Sequence, residues 1–547
     1  MDTKRASRWI LALVALGVAA RVYRFALNSP LWWNEAFLAA NFLKRDFAGL
    51  LRPLDYNQVC PPLFLWAELA MVRVVGFHEA ALRVLPLLSG CLALVLFAGL
   101  ARRVLDARAA AIAVALLAVA HHPIRLCAEV KPYGGDLLAA VLLLRSAWWV
   151  LEFPRPARAW LGLALASMTL IWLSYPAVLV VGAALVAVVA GTWKRIRIRE
   201  KILASICASL TIASFLVLRS VCAAGQAAAT AAEGMSEYWS DGFPDGLGIR
   251  NILEWLWHAL LSEGLSFPAG NGGFVSAITC ALMVVGAFAL RRAGKGLVVL
   301  LLCVPIAISA GAAISRLYPF GVHARLSQHL VPSFALLCGA ALDWLWSMIA
   351  SRLGVTVVPR RARIAFATFF VLALVIPLGA DTLRPYRTPR ENAAREFARR
   401  FWPAVSEGAA VECLRWDESA APWISVNPDV ALYLCNQAIQ RPVVAPVEAQ
   451  ARRFVLYWSP RVEPLDLADW LRAHPEVESA WVATPPDMGP RGARIAVFAT
   501  RGDGLETLRG LQLGDSVYHA SSRDDILTSI SNGGANAAAV ARKSVRR

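Results

Sequence analysis

Long apolar runs, separated by short polar or basic stretches, fill the first two thirds of the chain. They fall near residues 9–28, 84–101, 107–122, 135–152, 159–175, 176–193, 203–221, 274–290, 296–314, 329–350 and 364–382, the third of them short. A membrane-crossing helix needs about 20 mostly apolar residues. The pattern therefore predicts a polytopic α-helical membrane protein, with a membrane domain of about 11 spans over 1–383. Segment 61–77 is also apolar but carries Glu68 and Arg73. Each would cost about 3 kcal/mol at a span centre, so a juxtamembrane helix is expected there, with both side chains reaching the headgroups.

After Pro385 the periodicity changes. The stretch ENAAREFARRFW reads as a helix, GAAVECLRW, ALYLCNQ, RFVLYWS, SAWVAT and RIAVFAT as strands, and DLADWLRAH as a further helix. A small soluble α/β domain is predicted over 384–520. The small, polar and basic tail 521–547 reads as disordered.

Composition agrees with the hydrophobic pattern: 58% of residues are hydrophobic and 17% charged, which excludes an ordinary soluble globule. The formal net charge of +17 is carried by residues that interrupt apolar segments instead of lining an aromatic surface. Nucleic acid is therefore excluded as the partner, and contact with the lipid bilayer is expected. If the spans alternate, the basic clusters at 4–8, 102–108, 155–158, 194–201, 291–295 and 352–363 all fall on one side, the cytoplasmic one. The outer face then collects 29–83, 122–134, 222–272, 315–328 and everything after 383. The ten cysteines form no CxxC pair or Cys/His cluster, so no metal site is indicated by spacing. Cys413 and Cys435 could pair if their domain is extracytoplasmic.

Four motifs occur in order: LWWNEAFLAANF, LDYNQVCPPLFLW, ALRVLPLLSG and AEVKPYGGDLL. Together they resemble the GT-C membrane glycosyltransferase superfamily, in particular the protein mannosyltransferase and aminoarabinose transferase group with its family-39-like bacterial members. The resemblance covers roughly residues 9 to 350. It implies a GT-C-like fold with juxtamembrane helices in the first outer loop. The implied activity is that of a glycosyltransferase moving a sugar from a polyprenyl-phosphate donor to an acceptor hydroxyl, or to a lipid or glycan acceptor, at the outer face of a bacterial-type inner membrane. The acceptor itself is unknown. Such a reaction needs a carboxylate to take the acceptor's proton and cations to stabilise the departing phosphate.

In this reading Glu35 is the first candidate base. Asn34 stands where the family pattern has aspartate; an amide hydrogen-bonds a hydroxyl but accepts no proton at neutral pH. Three alternatives follow: Glu35 acts, Asp55 or Glu129 takes over, or the chain is a catalytically inactive relative that binds polyprenyl lipid or glycan. Glu35 could equally cap an interfacial helix, and Asp55 could simply serve a turn with Tyr56. Arg83, Lys131 and Arg325 are the candidate donor-phosphate ligands, and Glu129, Tyr133, Tyr56, His323 and Tyr318 the candidate substrate contacts. A helix or turn at 129–133 would set Glu129 and Tyr133 on one face. No cofactor is certain, and a divalent metal could bind if Glu35, Asp55 and Glu129 cluster. The aromatic and acidic loop EYWSDGFPDG (237–246) has the composition of a carbohydrate-contacting lid. A transporter would place ionisable groups mid-span; here they sit mostly at span ends.

Overall fold

The computed structural model describes residues 3–232, 239–270, 272–352, 360–387 and 389–404. It also describes a helix at 428–440, five strands, and short pieces at 471–473, 475, 524 and 527–528. The chain divides into two compact units. The first comprises 1–28, 45–71 and 80–383; the second comprises 29–44, 72–79 and 384–547. The expected boundary at 383/384 is thus supplemented by two short segments, 29–44 and 72–79, that group with the C-terminal part.

In chain order the helices are α1 (Thr3–Ala26), α2 (Trp33–Lys44), α3 (Pro62–Val75), α4 (Ala81–Val104), α5 (Ala107–Ala118), α6 (His121–Leu126), α7 (Tyr133–Glu152), α8 (Ala157–Leu173), α9 (Ala177–Thr192) and α10 (Ile198–Leu218). They continue with α11 (Ala224–Ala232), α12 (Ile249–Leu261), α13 (Phe274–Arg292), α14 (Gly296–Ile314), α15 (Val331–Arg352), α16 (Arg360–Leu383), α17 (Pro389–Ala404) and α18 (Pro428–Gln440). Among the described residues, seven helices are long and apolar enough to cross a membrane, and four shorter apolar ones accompany them.

The spans are apolar on both faces, as lipid exposure requires. On α4, Gly90, Ala93, Leu94 and Phe97 are buried while Leu88, Leu92 and Val95 lie on the surface. In the core of the first unit, α5 packs against α1 and α15. Arg21, fully buried, donates to the Leu117 and Ala118 carbonyls at the end of α5 (3.3 and 3.5 Å) and to Gly17 O (2.8 Å). It satisfies carbonyls that the helix end leaves without an intrahelical donor.

Ion pairs tie the basic ends of several helices together. Lys295 meets Asp106 (2.9 Å), Arg108 meets Asp343, and Arg103 approaches Glu152 (3.8 Å). The ends of α4, α7 and α15 and the starts of α5 and α14 therefore lie at one end of the unit, the grouping that alternating spans require. The opposite end carries the long loops.

Segment 61–77 contains only the 14-residue α3, about 21 Å long and too short for a bilayer core of about 30 Å. Pro62 opens it, a position where the missing N–H costs nothing. Arg73 is exposed as expected, but Glu68 is fully buried and does not reach the surface.

In the second unit α18 packs against both α2 and α17. The stretch ALYLCNQ, expected as a strand, lies in α18. Ala431, Leu432, Cys435 and Asn436 are its buried face, a spacing of one helical turn, and Pro428 starts the helix. The strands β1 (Ala410–Leu414), β2 (Arg453–Ser459), β3 (Ser479–Thr484), β4 (Arg494–Ala499) and β5 (Val517–Ser522) form one sheet in the order β1-β2-β4-β3-β5. Only β1 and β2 run parallel; the other pairs are antiparallel. β5 overlaps the start of the tail expected to be disordered, most of which lies outside the described residues, as does most of DLADWLRAH. Cys435 is a free thiol whose Sγ faces the Ala36 carbonyl at 3.6 Å, so the Cys413–Cys435 pairing is not made.

Both carboxyl oxygens of Glu68 are buried without a hydrogen-bond partner, and burial pushes its pKa well above the ordinary 4.5. The fold thus favours the protonated acid. The stability this form contributes is complete below pH 4.5 and declines as pH rises toward the folded value. Glu68→Gln is expected to flatten the fall in thermal stability between pH 5 and 8 and to match or exceed the wild type at pH 8. A lower melting temperature for the variant at pH 8 would show that the carboxylate has a partner.

Candidate functional site

The loop end of the first unit gathers most of the expected residues. Leu54 to Gln58 form a tight 3-10 turn in which Tyr56 (φ 61°) and Asn57 (φ 53°) are left-handed. Asparagine tolerates that region, but tyrosine adopts it at a cost, so the surroundings must hold the turn. Gln58 does so on one side, donating to the Tyr56 carbonyl at 2.7 Å and accepting from Lys131 Nζ through its own carbonyl oxygen. Next to it, buried Gln226 of α11 accepts from Cys60 N (3.0 Å) and donates to Cys60 O (3.2 Å), with the Tyr175 hydroxyl bonded to both Cys60 O and Gln226. Asp55 is held differently. It pairs with Arg45 at 2.6 Å and is about half exposed.

Residues 129–132 form a bend and not a helix. Pro132 disfavours helical backbone at Lys131, and a tight bend forms with Lys131 N on Glu129 O at 2.7 Å. α7 begins at Tyr133 immediately after it. A Cβ on Gly134 would stand 2.7 Å from the Pro86 carbonyl, so only glycine lets α7 approach α4 this closely. That contact seats the 129–133 bend beside the stretch of α4 that carries Arg83.

Arg83, Glu129 and Lys131 are all buried, at 2%, 4% and 7% exposure. Arg24, near the end of α1, pairs with Asp381 of α16 at 3.0 Å and senses in addition the charges of Arg83, Arg125 and Glu129. Three guanidinium groups and two carboxylates from α1, α4, 125–129 and α16 thus share one charged cluster. Tyr318 lies close enough to Tyr133 and Asp136 to feel both, and its pKa is pushed well up, first by burial. Its hydroxyl donates to Leu326 O at 3.1 Å, and its ring meets His329 edge-on at 5.7 Å.

A second constellation ties long loops of the first unit together. Glu263 accepts from His323 Nδ1 at 3.3 Å and lies 3.6 Å from His122 Nε2. Trp239 meets His323 edge-on, and the Arg325 guanidinium lies 5.1 Å from the Trp239 ring centre. Arg325, expected to contact phosphate, therefore stacks on the 239–246 loop; Tyr238 lies outside the described residues.

Glu35 belongs to the second unit, with Asn34 half-buried beside it. Its Oε2 accepts from Trp32 N at 2.9 Å at the start of α2, the back-bond of a helix cap. Arg387 stacks on the Trp32 ring at 3.9 Å, and the charges of Glu79 and Glu35 add to burial in raising the Cys435 thiol pKa. Glu35 thus lies in a different compact unit from Asp55 and Glu129. Among the described residues no three His, Cys, Asp or Glu side chains could hold a metal ion.

Residues 59–218 match the family model described as dolichyl-phosphate-mannose-protein mannosyltransferase. The fold overlaps the crystal structure of ArnT from Cupriavidus metallidurans bound to undecaprenyl phosphate, with TM-score 0.54, 15% identity, and coverage of 92% of this chain and 100% of that one. The chain thus has the fold of these ArnT structures, and its residues 59–218 resemble the mannosyltransferase family. The apo form of the same ArnT gives 0.53 at 14% identity, covering 93% and 100% of the two chains. AglB from Archaeoglobus fulgidus, an archaeal oligosaccharyltransferase in complex with an inhibitory peptide and a dolichol-phosphate, gives 0.44 at 14% identity over 95% and 77%, too distant an overlap to add to the assignment. No curated protein matches the sequence.

The sequence pattern did not single out Arg24, Arg125, Asp381, Gln226, His122 and Glu263. Arg24 and Asp381 sit at span ends, where they read as ordinary snorkelling charges. Glu263 and His122 are single polar residues in long loops, and only the fold brings them together.

The hydrogen bond from His323, aided by the charges of His122, His323 and Arg325, holds the Glu263 carboxyl below its ordinary 4.5 despite partial burial. Its stabilising contribution is therefore complete above pH 4.5 and disappears as pH falls through the lower folded value. Amide exchange at 239–246 and 320–325 is expected to stay slow at pH 5 and to accelerate as pH falls below 4.5, once corrected for intrinsic rates. Glu263→Gln should exchange faster already at pH 5, with no further step. An unchanged protection profile in the variant would mean that Glu263 does not tie these loops.

Proposed function

We propose that this chain transfers a sugar from a polyprenyl-phosphate donor to an acceptor hydroxyl at the extracytoplasmic face of the membrane. The observation that carries the reading is the buried cationic set at the loop end of the first unit: Arg83 and Lys131, with Arg24 and Arg125 near Glu129. Buried cations act strongly on an anion because little solvent screens them, and a departing phosphate is such an anion. The family match and the GT-C fold favour a transferase over the silent binder. The basic helix ends tied by Lys295–Asp106 and Arg108–Asp343 would face the cytoplasm, which turns the charged loop end outward.

In the proposed reaction the acceptor oxygen attacks the anomeric carbon, and the bond from that carbon to the phosphate oxygen breaks. The acceptor proton passes to a carboxylate, and polyprenyl phosphate leaves with its charge held by Arg83, Lys131 and Arg325. Direct attack inverts the anomeric configuration. Glu35 is the proposed base, Asn34 its neutral neighbour able to hold a hydroxyl, and Asp55 the alternative base. Glu129, Tyr133, Tyr56, His323 and Tyr318 are proposed to line the sugar.

Glu35→Gln separates the two roles of this residue, because glutamine retains the cap's back-bond but cannot take a proton. Turnover with an undecaprenyl-phosphate sugar is expected to fall by about 10²–10⁴-fold, while the melting temperature stays that of the wild type. Unchanged turnover would remove Glu35 as base, and the same assay on Asp55→Asn and Glu129→Gln would then locate it. Arg83→Gln and Lys131→Met are each expected to weaken undecaprenyl phosphate binding by about 10–100-fold. Binding left intact in both would place the phosphate elsewhere.

A further inference from the structure

A cavity of about 580 Å³ lies between the 239–246 loop and α12, apart from the charged cluster described above. This is within the size range of small-ligand pockets. Its lining carries three carboxylates, Asp241, Asp245 and Glu254, and no lysine or arginine. Glu254 is compensated by Arg250 at 2.8 Å, but among the described residues the Asp241 and Asp245 side chains make no hydrogen bond or ion pair. Phe243 and Trp255 add ring surface, and Asn251 adds an amide. Trp255 is 93% buried, and its indole N–H, itself shielded from solvent, has no hydrogen-bond partner among the described residues.

The position of the cavity follows from α12. Ile249, Leu253 and Trp257, four residues apart, form an exposed apolar stripe at 73%, 58% and 64% exposure, while Asn251, Glu254, Trp255 and His258 turn to the cavity. A helix of this kind lies in the membrane interface with its stripe in the acyl boundary. The cavity then opens at headgroup depth. Two uncompensated carboxylates repel a phosphate and attract an ammonium group, and aromatic faces beside acids suit both a cation and the C–H face of a sugar.

We infer that this cavity binds the acceptor, and that the acceptor is a sugar bearing a protonated amine among its hydroxyls. The inference rests on the transferase reading and narrows its acceptor.

The test uses the full chain in phosphatidylcholine nanodiscs, titrated with methyl glucosaminide and methyl glucoside, with undecaprenyl phosphate binding measured in parallel. The amino glycoside is expected to bind about tenfold more tightly than the neutral one. The Asp241→Asn/Asp245→Asn double variant should lose that preference while binding undecaprenyl phosphate as the wild type does. Equal affinity for the two glycosides, no binding of either, or a preference that survives the double substitution would overturn the inference. Exchanging phosphatidylcholine for phosphatidylethanolamine should leave glycoside binding unchanged; its loss would assign the cavity to a lipid amine and overturn the sugar. Should the double variant fail to fold, the wild-type preference must still weaken with salt, and a salt-independent preference rejects the role of the carboxylates. Failure of the transferase reading would appear separately, as wild-type protein that does not bind undecaprenyl phosphate.

Discussion

The bilayer's refusal of unpaired charge organises the first unit. A lysine or arginine at the centre of a span is expensive, so the cations of this basic chain collect at helix ends. What happens to them there differs between the two ends. At one, arginine and lysine meet carboxylates of neighbouring helices: Lys295 on Asp106, Arg108 on Asp343. At the other, Arg83 and Lys131 are buried in the protein, with Gln58 on Lys131 and Asp381 on the nearby Arg24. The first arrangement neutralises charge and fixes helix ends. The second buries cations together with acids, where each charge acts on its neighbours more strongly than it would in water.

That arrangement depends on backbone detail. The bend at 129–132 exists because Pro132 interrupts helical backbone before Tyr133, and it lies against α4 because Gly134 admits the Pro86 carbonyl. The facing turn at 55–58 is left-handed at two consecutive residues and is secured by Gln58 and the Gln226–Tyr175–Cys60 network. A larger residue at 134 would push the bend away from Arg83, so the electrostatics of the cluster rest on a packing contact.

Much of this was legible in the sequence, for reasons tied to period and charge. Apolar length located the helices, and basic clusters grouped their ends as the ion pairs do. Motif order brought 55–58 and 129–133 into one region, where Lys131 does meet Gln58. What failed had identifiable causes. ALYLCNQ alternates over a few residues like a strand, but its buried positions recur with a helical turn and Pro428 starts a helix. Glu68 was expected to reach headgroups because a single sequence cannot say which face of a short helix is covered. Glu263 was invisible because its partners, His122 and His323, are 141 and 60 residues away in the chain.

Asn34 and Glu35 both stand in the first turn of α2. The back-bond from Trp32 N occupies Oε2 of Glu35 and closes the start of the helix. An aspartate at 34 would place a second negative charge beside it in the first turn of α2, and like charges at short range raise each other's proton affinity. With asparagine there, the only acid of that turn is the one that closes the cap. Asparagine at 34 therefore removes the like charge that an acid pair would set beside Glu35 in this turn, and leaves the Glu35 carboxylate to close the cap.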